Sequence, residues 1–127
     1  MQSDILKGRK ILIVEDDFSS KLYLNKILEK SGAFIYNARD GKEAFELVMN
    51  NSDIELILMD IQLPVLDGYT CTKMLRDSGK NLIIIAQTAY GLTGDKERLM
   101  TSGFNDYLIK PFSQNQLLEK LSIYLTG

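Results

Sequence analysis

The chain has 127 residues, 45% of them hydrophobic, with 17 acidic and 15 basic side chains, a single cysteine and no histidine. Without histidine there is no Ser-His-Asp or Cys-His nucleophile pair, no imidazole base and no imidazole-ligated metal; one cysteine excludes an internal disulfide or a multi-cysteine metal cage. A net charge of -2 with both signs intermixed leaves no basic stripe, so direct nucleic-acid binding is not expected.

The longest uninterrupted apolar run, Leu82 to Ala86, is far too short to span a bilayer. The polar opening from Met1 to Lys10 lacks the apolar segment of a signal peptide. The expectation is one cytoplasmic domain over 1–127, long enough to bury its own core and not inserted in a membrane.

Short apolar runs and amphipathic stretches alternate along the chain. Ile11 to Val14 reads as the first strand, and Leu24, Ile27 and Leu28 then share one face of a helix that Gly32 terminates. Ala33 to Tyr36 is the second strand, followed by a helix that Asp40 and Glu43 open with capping-box spacing and that faces inward through Ala44, Leu47 and Val48. Leu56 to Met59 forms the third strand; Cys71, Met74 and Leu75 line the next helix, which stops at Gly79.

Leu82 to Ala86 is the fourth strand, and a weakly striped helix from about Gly94 to Ser102 ends at Gly103. Tyr107 to Ile109 is the fifth strand, and Ser113 with Gln116 caps a last helix whose buried stripe is Leu117, Leu121, Tyr124 and Leu125. Five strand-helix repeats predict an α/β fold: a five-stranded parallel sheet, order 2-1-3-4-5, flanked by five helices on both faces in the flavodoxin-like manner.

The carboxyl ends of parallel strands share one edge, and ligands of open α/β sheets bind there, where the strand order reverses. Glu15 and Asp16 follow the first strand, Asp60 the third, Thr88 the fourth and Lys110 the fifth. Clustered carboxylates repel one another unless a cation intervenes, and an all-oxygen set suits a hard ion such as Mg2+. Lysine and threonine supply the positive charge and hydroxyl donor that phosphoryl oxygens require.

In order and spacing, the run Ile11 to Asp17 (ILIVEDD), the segment Met59 to Gly68 (MDIQLPVLDG), the pair Thr88-Ala89 and the run Asp106 to Phe112 (DYLIKPF) resemble receiver domains of two-component response regulators, over about residues 9 to 126. The segments around Asp60 and Thr88 also look like receivers of hybrid sensor kinases. The resemblance implies that Asp60 accepts a phosphoryl group from a phosphohistidine of a sensor histidine kinase or histidine phosphotransfer domain. It implies that Mg2+ is held by Asp16, Asp60 and the main-chain carbonyl of Gln62, with Glu15 acting through water, and that the Lys110-Pro111 bond is cis. Lys110 and Thr88 would neutralise the phosphoryl oxygens. Tyr107 would turn inward behind Thr88 and remodel the face made by the fourth helix, fifth strand and fifth helix, which then recruits a partner or a second copy of the chain. Gln62 and Tyr90 occupy places that in this family govern water access to the acyl phosphate. Leu63 and Leu66 stand where methionine is frequent, a volume-conserving change.

Plainer readings stand beside these. Asp17 is an ambiguous third acid, Asp67 with Gly68 reads better as a loop and helix-start device, Tyr107 has an ordinary packing reading, and Cys71 reads as inert core. An FMN carrier of the same fold would need a hydroxyl-rich loop where Glu15, Asp16 and Asp17 stand. A haloacid-dehalogenase-type phosphatase would need Asp-x-Asp where Asp60 is followed by Ile61 and Gln62. The nearest alternative is a receiver-like interaction module that works without phosphorylation.

Overall fold

A computed structural model describes residues 5–89 and 95–125. Tyr90 and the expected start of the fourth helix at Gly94 lie outside them. The elements run β1 Lys10–Val14, α1 Phe18–Lys30, β2 Phe34–Ala38, α2 Gly41–Asn50, β3 Leu56–Asp60, α3 Gly68–Asp77, β4 Ile83–Thr88, α4 Asp95–Thr101, β5 Asp106–Ile109 and α5 Gln114–Leu125. The strands form one sheet in the order β2-β1-β3-β4-β5, every pair parallel.

Period-two alternation divides the strand side chains between two cores. Ile11, Ile13, Leu56, Leu58 and Ile85 pack under α1 and α5 against Leu24, Leu28, Leu117 and Leu121. Leu12, Val14, Ile57, Met59, Ile84 and Ala86 pack on the other face against Ala44, Val48, Cys71, Leu75 and Leu99. Burial on both faces explains why the central strands read as continuous apolar runs.

The expected stops and starts are seen in the backbone. Gly32 and Gly79 take φ of 88° and 82°, and each follows a helix in a Schellman arrangement: Ala33 N–H donates to Leu28 O and Lys80 N–H to Leu75 O. Ser113 and Gln116 cap α5 reciprocally, at 2.8 and 3.0 Å.

β1, β3 and β5 each gain one residue over the expected strand, and β2 and β4 differ by more. β2 starts a residue later and runs on through Asn37 to Ala38, because each residue from Phe34 to Ala38 pairs with one of Lys10 to Val14; the pairing partner, not local propensity, sets its length. β4 likewise continues through Gln87 and Thr88, paired with β3 and β5.

Candidate functional site: a carboxylate cleft at the sheet edge

Each of the site-bearing segments is aimed by a neighbouring strand. Glu15 N–H donates to Ala38 O, Ile61 N–H to Gln87 O, and Lys110 N–H to Thr88 O at 2.7 Å. The segments that leave β1, β3, β4 and β5 therefore converge on one cleft of about 450 Å3, lined by Glu15, Asp16, Asp60, Gln62, Thr88 and Lys110, together with Asp17, Tyr69, Gln87 and Arg98.

Lys110 Nζ lies 3.2 Å from both Glu15 Oε1 and Asp60 Oδ2. Glu15 and Asp60 are buried, only 2% and 7% exposed. Burial, and then the charge of Asp60, push the Glu15 carboxyl up to about 7 against the opposing pull of Lys110. Burial alone would lower the lysine, but the facing Asp60 and Glu15 outweigh it and raise it above its ordinary value. Asp60 Oδ1 accepts from the Gln62 N–H at 3.1 Å, which fixes the carboxylate plane.

One carboxylate oxygen from each of Glu15, Asp16 and Asp60 lies within 4.8 Å of the others. Oxygens bound to one Mg2+ are at most about 4.2 Å apart, so a slight contraction or one intervening water brings this set into range. The donor set is all oxygen, as a hard cation prefers.

The ambiguous acids are explained by caps. Asp17 is exposed and accepts from Ser20 N–H at 2.9 Å, which holds its carboxyl below the usual range. Asp67 caps α3 by accepting from Thr70 N–H at 2.8 Å. Gly68 then brings α3 under the strand end: a Cβ there would sit 2.5 Å from Asp60 O.

Tyr107 is not brought to the cleft. It lies half-buried at a separate depression with Ile109, Phe112, Glu119 and Ile123, its ring 5.7 Å from Lys120 Nζ. The Lys110-Pro111 peptide bond is cis, and Pro111 lines a small neighbouring cavity with Tyr23, Leu24, Gln87 and Phe112. Burial pushes the Cys71 thiol up to about 12, and its Sγ donates to Gly41 O, so it is core.

Among the lining residues that sequence reasoning missed are Ser20, Tyr69, Gln87 and Arg98. Gln87 is buried, and neither amide atom has a hydrogen-bond partner among the described residues; the hydrophilic break in an apolar strand was its signal. Arg98 and Tyr69 meet through a cation-π contact of 3.7 Å between elements 29 positions apart in sequence, for which no local pattern exists.

Residues 11–122 match the family model for the response regulator receiver domain. The chain is 35% identical over 116 residues to the probable transcriptional regulatory protein SilR of Salmonella typhimurium, covering 91% of this chain but half of that protein. It is 35% identical over 119 residues to the polar-differentiation response regulator DivK of Brucella anthropi, covering 92% of this chain and 96% of the relative.

Among solved structures, the receiver domain of sensor histidine kinase PA1611 from Pseudomonas aeruginosa, which has magnesium coordinated in its active-site cleft, superposes with a TM-score of 0.86 at 36% identity, covering 94% of this chain and 99% of that one. The receiver domain of Saccharomyces cerevisiae Ssk1, crystallised with the histidine phosphotransfer protein Ypd1, gives 0.87 at 32% identity, covering 94% and 90%. No described helix is long and apolar enough to cross a membrane. From the strand order, the cleft and this match over nearly all of its length, the chain belongs to the response regulator receiver domains of two-component signal transduction.

Proposed function

We propose that Asp60 is the phosphoacceptor and that the cleft around it promotes both its phosphorylation and the later hydrolysis of the acyl phosphate. The observation that carries this reading is the position of Asp60: a nearly buried carboxylate, 3.2 Å from the Lys110 ammonium and beside two further acids. A carboxylate oxygen of Asp60 attacks the phosphorus of a phosphohistidine, the P–N bond breaks, and the imidazole leaves with the bonding pair and picks up a proton.

Asp16, Asp60 and the Gln62 carbonyl would hold Mg2+, with Glu15 acting through water. When bound, Mg2+ neutralises charge on the phosphoryl oxygens. Lys110 pairs with one of those oxygens and the Thr88 hydroxyl donates to another, so the protein's work is positioning and charge compensation. Glu15 keeps Lys110 in place when Asp60 gives up its free oxygen.

The donor is a sensor histidine kinase or a histidine phosphotransfer domain, the latter being the kind of partner crystallised with the Ssk1 receiver. Thr88 and Tyr107 carry the switch, and the α4-β5-α5 face is its output, binding a partner or a second copy of the chain. We read 1–127 as a single receiver domain acting on the cytoplasmic side. The test is intact-mass measurement after incubation with Mg2+ and acetyl phosphate. The wild type gains one phosphoryl group and Asp60→Asn gains none; equal labelling of the variant overturns the assignment.

A further inference from the structure

The cleft is lined by four carboxylates, Glu15, Asp16, Asp17 and Asp60, and by two cations, Lys110 and Arg98. The charge of Lys110 is already engaged by Glu15 and Asp60. Arg98 is different. It comes from α4, whose neighbouring Leu99 is anchored in the core beneath α2 and α3, and its guanidinium lies exposed at the cleft with no carboxylate partner among the described residues.

What holds Arg98 is a face-on stack, 3.7 Å above the Tyr69 ring centroid. Tyr69 in turn packs edge-on against the buried Phe104, with ring centroids 5.8 Å apart. The guanidinium therefore rests on a platform that is itself fixed to the core. A guanidinium stacked on a ring uses one face for that contact and keeps its N–H donors for hydrogen bonds, the fork that phosphate oxygens fit bidentately. Arg98 and Tyr69 also line the adjoining surface depression with Lys73, Arg76 and Asp77, so the stack stands where the cleft meets the outer surface.

Even with Mg2+ held among the acids, the four carboxylates outnumber the charges of Mg2+ and Lys110, and without Arg98 that excess opposes entry of a doubly charged phosphate. We infer that Arg98, stacked on Tyr69 at the mouth, binds the phosphate of the incoming phosphoryl donor and offsets that repulsion before the group reaches Asp60. This rests on the reading of Asp60 as phosphoacceptor and adds to it a residue that determines donor affinity. A stack on this half-buried ring is weaker than a charge-assisted bond to phosphate, so the arm can shift from the one towards the other.

The experiment follows phosphorylation of the chain by intact mass at several acetyl phosphate concentrations with saturating Mg2+, for wild type, Arg98→Gln, Arg98→Lys and Asp60→Asn. In Arg98→Gln the half-saturating donor concentration rises about tenfold while the maximal rate stays within about twofold, the size expected for one charge-assisted contact. Its dependence on ionic strength flattens, because screening no longer has that cation to act on. Arg98→Lys recovers part of the affinity, keeping the charge without the fork. With phosphoramidate, which carries less negative charge than acetyl phosphate at neutral pH, the loss is smaller. Labelling that requires Asp60 but shows wild-type half-saturation and salt dependence in Arg98→Gln overturns the role of Arg98 alone. A fall in maximal rate at unchanged half-saturation overturns it too. Labelling that persists in Asp60→Asn overturns the phosphoacceptor reading beneath it.

Discussion

Lys110 Nζ stands 3.2 Å from Asp60 Oδ2, joining residues fifty positions apart at the carboxyl edge of the sheet. The same ammonium reaches Glu15 at 3.2 Å, so one cation compensates two buried acids. Lys110→Met keeps most of the side-chain volume and removes the charge. It should lower the unfolding free energy by about 1–3 kcal/mol, less than a fully buried pair would lose, because the lysine is partly solvated. Added Mg2+ should restore more stability to this variant than to the wild type, since a cation among the acids then supplies what the lysine did. Urea unfolding with and without Mg2+ measures both effects.

Asp16 and Asp17 are adjacent in sequence and differ in task. Asp16 belongs to the three-carboxylate cluster, whereas Asp17 caps α1 through Ser20 N–H. Titration with Mg2+ should show no detectable binding to Asp16→Ala and an affinity within a few-fold of wild type for Asp17→Ala, because the cap carboxylate lies outside the cluster. Unchanged affinity in Asp16→Ala would remove it from the metal set.

Gly68 and Gly79 serve for different reasons, and alanine separates them. At Gly68 a Cβ meets Asp60 O at 2.5 Å and Ile61 Cα at 3.0 Å, backbone atoms that cannot step aside. At Gly79 the space is open and only the φ of 82° resists a side chain. Gly79→Ala should cost about 1–2 kcal/mol, the strain of a left-handed residue. Gly68→Ala should cost up to about 3 kcal/mol as overpacking, and should also slow labelling because the displaced atom belongs to Asp60. Asp67→Ala, which removes only a cap, should cost about 1 kcal/mol and leave labelling unchanged. Urea midpoints and labelling rates measured on the same three proteins check the set.

The Tyr124 hydroxyl donates to Asp106 at 2.9 Å. Burial, then this bond, raise Tyr124 from 10.0 to about 12. A folded-state value above the unfolded one favours the neutral form, so the stabilisation is fully present below pH 10 and is lost as pH rises towards 12. Burial would raise Asp106, but bonds from Tyr107 N–H, Lys120 and Tyr124 outweigh it and hold the carboxyl below its usual 3.8. Its contribution is present above that value and lost as pH falls through the lower folded one. Tyr124→Phe should flatten the alkaline limb of a stability profile and weaken the acid limb without abolishing it, because Tyr107 N–H and Lys120 still hold Asp106 down, as read from urea midpoints across pH.

Much of the architecture was legible because the interactions that set it are local or periodic. The two-sided burial of Ile11 to Val14 and Leu56 to Met59, the left-handed glycines at 32 and 79 and the reciprocal cap of Ser113 and Gln116 each leave a short-range signature. The edge of the sheet was legible as well, since parallel strands put Asp16, Asp60, Thr88 and Lys110 together once the elements are assigned.

The extension of β2 to Ala38 was not legible: Asn37 is a poor strand former, and its pairing to Ile13 decides the matter. Nor was the place of Arg98, whose partner ring lies on another helix and whose own helix has a weak apolar stripe. Tyr107 could be named but not placed. A half-buried tyrosine at a strand start can face either the cleft or the depression beside Lys120, and the structure has it at the second.

The most direct test is where the phosphoryl group goes. Protein labelled with Mg2+ and acetyl phosphate is reduced with borohydride, which converts an aspartyl phosphate to homoserine and leaves serine and threonine esters intact, and is then mapped by peptide mass spectrometry. The prediction is homoserine at position 60 and nowhere else. Reduction at position 16 or 17, or a phosphate that survives borohydride on a hydroxyl residue, would contradict it.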